Sequence, residues 1–167
     1  VFASLFGVQL RRATRGFLLG VVLAASGLVG CRAPFQSVTP SGFVELETRD
    51  TDYKHRVTNA DGLVLATRVL KHEPRGELSF WERAIENQLR DRGGYALLGK
   101  ADVKSADGTP GKELRFGHDE GSQPHLYTVW IFATDERLYL LEAGGTRELM
   151  QKNAAAAADY AARFRIR

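Results

Sequence analysis

From residue 43 onward, apolar and polar positions alternate in a way that lays down one element after another. In residues 43–48, Val44 and Leu46 alternate with Glu45 and Glu47, the period-two pattern of a half-buried strand. Residues 53–58 and 63–70 read as two further strands, with the turn cluster Asn59-Ala60-Asp61-Gly62 as a hairpin loop between them. The period then changes. Trp81, Ala84, Ile85, Gln88 and Leu89 recur at helical spacing, Ser79-Phe80-Trp81-Glu82 has the form of a capping box, and Gly93-Gly94 supplies a left-handed stop. This helix has one apolar side, so it must lie on something.

Strand periodicity resumes in residues 95–104 and, after the tight turn 107–111, in residues 112–116, with 117–124 (GHDEGSQP) as a polar loop. Residues 125–134 (HLYTVWIFAT) are the most apolar run of this region. Leu126, Trp130 and Phe132 fall on one face of that strand; Tyr127, Val129, Ile131 and Ala133 fall on the other. Such a strand is central and covered twice. Thr134-Asp135-Glu136 turns it into residues 137–143, again apolar on both faces. Gly144-Gly145 ends that strand, and Thr146 can cap a closing helix to about residue 163 with Leu149, Asn153, Ala157, Tyr160 and Phe164 as its stripe. Phe164-Arg165-Ile166 is a candidate edge strand. The order βββ-α-ββββ-α predicts an α+β fold, a largely antiparallel β-sheet flanked by two helices, one on each face.

Ahead of this region lies a different pattern. Residues 16–31 (GFLLGVVLAASGLVGC) carry no charge and follow Arg11, Arg12 and Arg15. A cationic start, a short apolar core and a small-residue end make a secretory signal, and positive-inside bias keeps the arginines on the cytoplasmic side. A spanning helix needs about 20 apolar residues; this run is shorter and interrupted by Gly16, Gly20, Gly27 and Gly30. A permanent transmembrane anchor and a non-lipidated signal peptide cut elsewhere are the alternatives. The ending Leu28-Val29-Gly30-Cys31 resembles the lipobox of bacterial lipoproteins. That resemblance implies cleavage between Gly30 and Cys31, a thioether from Cys31 to diacylglycerol, and a further acyl chain such as palmitate on the new amino group. Cys31 is the single cysteine of the chain, and an odd cysteine in an exported protein needs a use. Sec export is expected over the twin-arginine route, because Ala13-Thr14-Arg15-Gly16 matches the latter poorly. Arg32 as the second mature residue leaves an outer-membrane destination open. The chain starts at Val1 and its one methionine is Met150, which reads as a non-ATG start or an upstream fragment.

The organisation expected is therefore residues 1–30 as a removed signal peptide, 31–42 as lipidated cysteine and flexible tether, and 43–167 as one globular domain. Residues 33–42 (APFQSVTPSG), uncharged and containing two prolines and two serines, read as extended and unpacked. Charge changes the picture only by subtraction. The three leader arginines account for the whole excess of 23 Lys+Arg over 20 Asp+Glu, so the mature part is formally neutral. Nothing in it reads as a nucleic-acid surface.

The domain's rhythm carries a resemblance. A helix bearing Trp81, then Gly94-Tyr95-Ala96-Leu97-Leu98, then Gly108-Thr109-Pro110-Gly111-Lys112-Glu113-Leu114, then Tyr127 and Tyr139 in successive strands, resembles the Mog1/PsbP-like α/β/α sandwich. Its bacterial members include exported lipoproteins of the DcrB and LpqN type. The resemblance covers residues 43–167 and implies a fold, with members that serve as Ran-binding factors, photosystem assembly subunits or envelope proteins. It carries no shared active site.

The chemical inventory is sparse. No serine sits in GxSxG and no HExxH occurs. His118, Asp119, Glu120 and His125 match no known ligand spacing and read as a solvated loop rather than a metal site. His72-Glu73 reads as a surface pair, and Gly108–Lys112 as a hairpin turn rather than a phosphate loop. Trp81, Tyr127 and Tyr139 read as core or rim aromatics, with a ligand or partner surface beside them as the alternative. The expectation is a non-enzymatic, cofactor-free module of the cell envelope. It would be anchored by Cys31 on the periplasmic face and bind or help assemble another envelope protein through an exposed apolar patch or groove. Two alternatives stand beside it: a ligand-binding or transport-accessory lipoprotein with an apolar pocket between sheet and helix, and a hydrolase with a dispersed site.

Overall fold

The computed structural model describes residues 33–49, 51–121 and 123–167; the expected leader and the lipobox Leu28–Cys31 lie outside them. Seven strands form one sheet: β2 (Phe43–Glu45), β3 (Tyr53–Asn59), β4 (Val64–Lys71), β5 (Ala96–Lys104), β6 (Pro110–Glu120), β7 (Gln123–Ala133) and β8 (Arg137–Thr146). Their spatial order is β2-β3-β4-β8-β7-β6-β5, and every neighbouring pair is antiparallel. Two meanders are thus joined by one long crossing through helix α1 (Leu78–Gly93) and zipped together where β4 meets β8, from Val64 opposite Gly144 to Lys71 opposite Arg137. The α+β class and the antiparallel sheet are as the periodicity predicts.

Burial on both faces of β7 organises the layers. On one face Trp130 and Phe132 join Val57, Leu65, Tyr139, Leu141 and Ala143 in a core closed by helices α2 (Arg147–Lys152) and α3 (Ala154–Ala162) through Met150, Ala157, Tyr160 and Ala161. On the other, Val129 and Ile131 join Leu114 and Phe116 beneath Leu78, Trp81, Ile85 and Leu89 of α1. Gly94, at φ 67°, ends α1 in the left-handed region, its N–H reaching back to Arg90 and Leu89.

Five local expectations need correction. Residues 33–42 are not a free tether: Phe35–Gln36 (β1) pairs antiparallel with Arg165–Ile166 (β9), and Phe35 is buried against Tyr139 and Phe164. The domain therefore begins near Pro34, because one large aromatic gains more by joining the core than a polar segment loses in chain entropy. The capping box at Ser79 does not form. The helix starts earlier, with Glu77 at its N-cap making no side-chain cap bond, and Glu82 instead pairs with Lys100 at 2.8 Å and Lys112 at 3.5 Å. The closing helix is two helices. Asn153 breaks it by turning its side chain onto the carbonyl of Leu149 at 2.9 Å while accepting from Asn59 at 2.7 Å. Residues 117–124 are not an open loop, since β6 and β7 continue to Glu120 opposite Gln123. His72 is not a surface residue; it is 7% exposed.

The packed N-terminal segment makes a sharp expectation. Phe35→Ala should lower stability by about 3 kcal/mol, seen as a lower urea midpoint at unchanged slope. Its exposed neighbour Gln36→Ala should stay within about 0.5 kcal/mol.

Candidate functional site

The helices cover the sheet unequally. Helix α1 lies mainly over β5, β6 and β7, with Leu140 of β8 at the margin of the same core, so on its side of the sheet helical cover is concentrated away from β2, β3 and β4. Register shows which side chains stand on that less covered part. Thr58 faces Val64, Arg56 faces Ala66, and Ala66 faces Glu142 across β3, β4 and β8, while Glu142 opposes Val129 of the α1-side core. Alternation adds Arg68 and, past the β3 irregularity, Tyr53.

These residues form one polar cluster. Glu142 is 9% exposed, the ionisable group in residues 138–143 of β8, which are otherwise Leu, Tyr and Ala. The Tyr53 hydroxyl donates to Glu142 Oε2 at 3.2 Å, and Arg68 Nη2 donates to the Tyr53 hydroxyl at 3.0 Å. Arg68 Nη2 also lies 3.4 Å from Glu142 Oε2. Both guanidinium groups lie over the Tyr53 ring, Arg68 at 4.8 Å and Arg56 at 5.5 Å from its centroid. Tyr127 closes the cluster from β7. Its ring lies over Gly144, where a Cβ would come within 3.0 Å of it, so the glycine that ends the apolar run of β8 also makes room for an aromatic ring.

The electrostatics follow from burial. Burial pushes Glu142 above the usual carboxylate range, offset in part by Arg68 and by hydrogen bonds from Tyr53 and Tyr127. Burial, then the Glu142 charge, raises Tyr53, and burial holds Tyr127 well above an ordinary phenol. For Arg68 burial acts downward, yet attraction to Glu142 and Tyr53 leaves it above its usual value. Arg68 alone pairs with the carboxylate, while Arg56 stands over the Tyr53 ring. Among the described residues Arg56 has no ion-pair partner, and the Nε atoms of Arg56 and Arg68 are buried without a hydrogen bond. What this arrangement can do is receive an acidic group from outside.

No protein-family model matches the chain, and no curated protein matches it. Solved structures do. LpqN of Mycobacterium tuberculosis, a protein involved in cell envelope biogenesis, superposes with a TM-score of 0.64 at 10% identity, over 79% of this chain and 82% of its own. The cyanobacterial PsbP protein CyanoP from Synechocystis gives 0.54 at 12% identity, over 87% of this chain and 99% of its own. The yeast (Saccharomyces cerevisiae) Ran-binding protein Mog1p gives 0.55 at 13% identity, over 80% and 90%. The fold is Mog1/PsbP-like. At these identities the likeness concerns architecture alone.

Within this Mog1/PsbP-like sheet the three aromatics singled out from sequence divide between the two cores, Trp81 and Tyr127 on the α1 side and Tyr139 on the other. Tyr139 is no surface at all, being 1% exposed in the core under α3 with its hydroxyl donating to Pro34 O at 3.3 Å. Tyr127 borders the polar cluster on the opposite face. Trp81, packed on the same α1-side core, donates its Nε1–H to His72 Nε2 at 2.8 Å. His72 Nδ1 lies 2.6 Å from Thr134 O, which can only accept, so the proton is assigned to Nδ1 and Nε2 accepts from Trp81 and Gly76 N. His72 thus pins α1 to the end of β4. It also borders a groove of about 410 Å³ lined by Lys71, Glu73, Arg75, Asp135, Glu136 and Arg137 among others. That groove is charged, unlike the apolar slot between sheet and helix that a ligand carrier would use. His118 and His125 face each other across β6 and β7, and no trio of metal-ligating side chains gathers among the described residues. The exposed large apolar residues Val44, Phe80 and Leu98 sit singly on β2, α1 and β5 rather than in the expected patch.

Reasoning from sequence missed Tyr53, Arg56, Arg68 and Glu142. The available signal was Glu142 itself, a carboxylate in a run otherwise apolar on both faces. Two measurements check the cluster. Arg68→Ala leaves a buried carboxylate unpaired and should cost about 3 kcal/mol at neutral pH. A carboxyl raised in the folded state contributes stability below the ordinary value of about 4.3 and loses it as pH rises through the raised value. Urea unfolding between about pH 4 and 7 should therefore show Glu142→Gln gaining on the parent as pH rises.

Proposed function

We propose that the chain is a lipid-anchored binding module of the cell envelope, held by an acylated Cys31 on the periplasmic face. It engages an acidic segment of another envelope protein across the less covered part of its sheet. The observation that carries this reading is the pair of arginines, Arg56 and Arg68, over the Tyr53 ring beside the buried carboxylate of Glu142, which pairs with Arg68, on the part of the sheet away from α1. Arginine and tyrosine are the side chains that dominate protein interfaces, and Val44, Thr58 and Val64 supply a less polar margin on the same face. The fold likeness to LpqN accords with an envelope role. The anchor rests on the lipobox resemblance and the lone cysteine.

Two experiments test the two halves. In bacteria with lipoprotein export, the parent chain should incorporate labelled palmitate and end at Cys31, whereas Cys31→Ser should remain an unlabelled precursor. Normal cleavage and soluble release of that variant would overturn the anchor. For the face, a photo-crosslinker at Thr58 should capture an envelope protein. That adduct should be lost in Arg56→Glu and kept in Arg115→Glu, whose charge reversal lies on the opposite side of the sheet. Equal capture in both variants would defeat the assignment of the face.

A further inference from the structure

The corrected start of the domain shortens its leash. Pro34, three residues after Cys31, already accepts a hydrogen bond from the Arg167 backbone at 3.0 Å. Three residues of fully extended chain reach about 11 Å at most, close to the Debye length of about 10 Å at 0.1 M salt. Whatever surface surrounds β1 and β9 is therefore the surface that a membrane at Cys31 would meet.

That surface is arginine-rich by construction. In the C-terminal run Arg163-Phe164-Arg165-Ile166-Arg167, Phe164 is fully buried and Ile166 packs against the same core. Alternation then sends Arg165 and Arg167 to the outward side together with Gln36, which is paired with Arg165 and accepts a hydrogen bond from Arg167 Nη2 at 2.8 Å. Arg163 adds a third exposed guanidinium, paired with Asp159 at 3.3 Å. The other nearby acid, Asp107, is occupied: its carboxylate accepts from the Ile166 amide at 2.7 Å, from Ser105 and from Thr109. Among the described residues Arg165 and Arg167 have no carboxylate partner. Arg32, in the short segment between anchor and domain, has the same sign.

We infer that the outward side of β1 and β9, carrying Arg163, Arg165 and Arg167 beside Gln36, is a docking surface for an anionic lipid leaflet. It turns the anchor into an oriented attachment and leaves the Arg56–Arg68 face for a partner. The inference rests on the anchored reading for its biology, but the contact itself needs no enzyme-made lipid. Each arginine at an anionic surface is worth roughly fivefold in partitioning, so three contribute on the order of a hundredfold, sensitive to salt.

The test uses residues 31–167, the mature chain of the anchored reading, which holds every residue of both cores. Its single thiol, Cys31, is coupled to a maleimide lipid in vesicles of phosphatidylcholine alone or with phosphatidylglycerol. Amide exchange of residues 34–36 and 163–167 should slow on the anionic vesicles only, and that protection should vanish at about 0.5 M salt, where the Debye length falls below about 5 Å. Uncoupled fragment should sediment with anionic vesicles, and the R163Q/R165Q/R167Q variant should lose most of that binding. If the triple variant unfolds, Arg165→Glu, which breaks no hydrogen bond or ion pair among the described residues, should reduce binding by itself. Equal protection on both vesicle types, protection elsewhere on the domain, or undiminished binding of Arg165→Glu would overturn the inference. Because the thiol is coupled chemically, these outcomes are independent of whether cells acylate Cys31, which palmitate labelling reads separately.

Discussion

Everything in the domain answers to one constraint, the two-sided burial of β7. A strand with Trp130 and Phe132 on one face and Val129 and Ile131 on the other must be covered twice, and this antiparallel sheet does that by recruiting helices to both sides. The described residues hold little helix, so each helical layer covers part of its face. Helix α1 lies toward β5 and β6, while α2 and α3 close the core that reaches β3 and β4. The diagonal offset leaves part of the α1 face without a helix over it, and the proposed binding surface is a by-product of how the core was closed.

That part holds the domain's electrostatic conflict. Glu142 sits in β8, the strand that zips the two meanders together, where its carboxylate is nearly shielded from water. A buried pair seldom stabilises as well as packed apolar side chains of equal size. Here the carboxylate is supported by Arg68, Tyr53 and Tyr127 at once, and yet positive charge remains in excess. A site that only had to be stable could have been built from leucine; this one keeps a buried charge and its polar supports.

The termini tell a related story. Pairing β1 with β9 fastens both ends of the domain to one place, with Phe35, Phe164 and Tyr139 as the rings that lock it. A domain on a long loose tether samples all orientations, whereas one whose first packed residue lies three positions after its anchor has few. In the proposed anchored state, orientation is then a consequence of packing rather than of a separate device.

The sequence by itself determined the class of fold, the number of sheet strands, their alternation of faces and both long helical regions. Those are properties of local periodicity, which propensity and burial enforce within a few residues. It also marked the hairpin at Gly62 and the stop at Gly94, since only a residue without Cβ takes those conformations easily. Tertiary structure alone decided the rest. Ser79 and Glu82 had the form of a cap, but the lysines Lys100 and Lys112 reach Glu82 only once β5 and β6 lie beneath α1. Phe35 read as linker because its partners Tyr139 and Phe164 are more than a hundred residues away. Arg56, Arg68, Tyr53 and Glu142 came together only through strand pairings that join distant segments, and period-two alternation marks which face a residue takes without saying whether a helix will cover it.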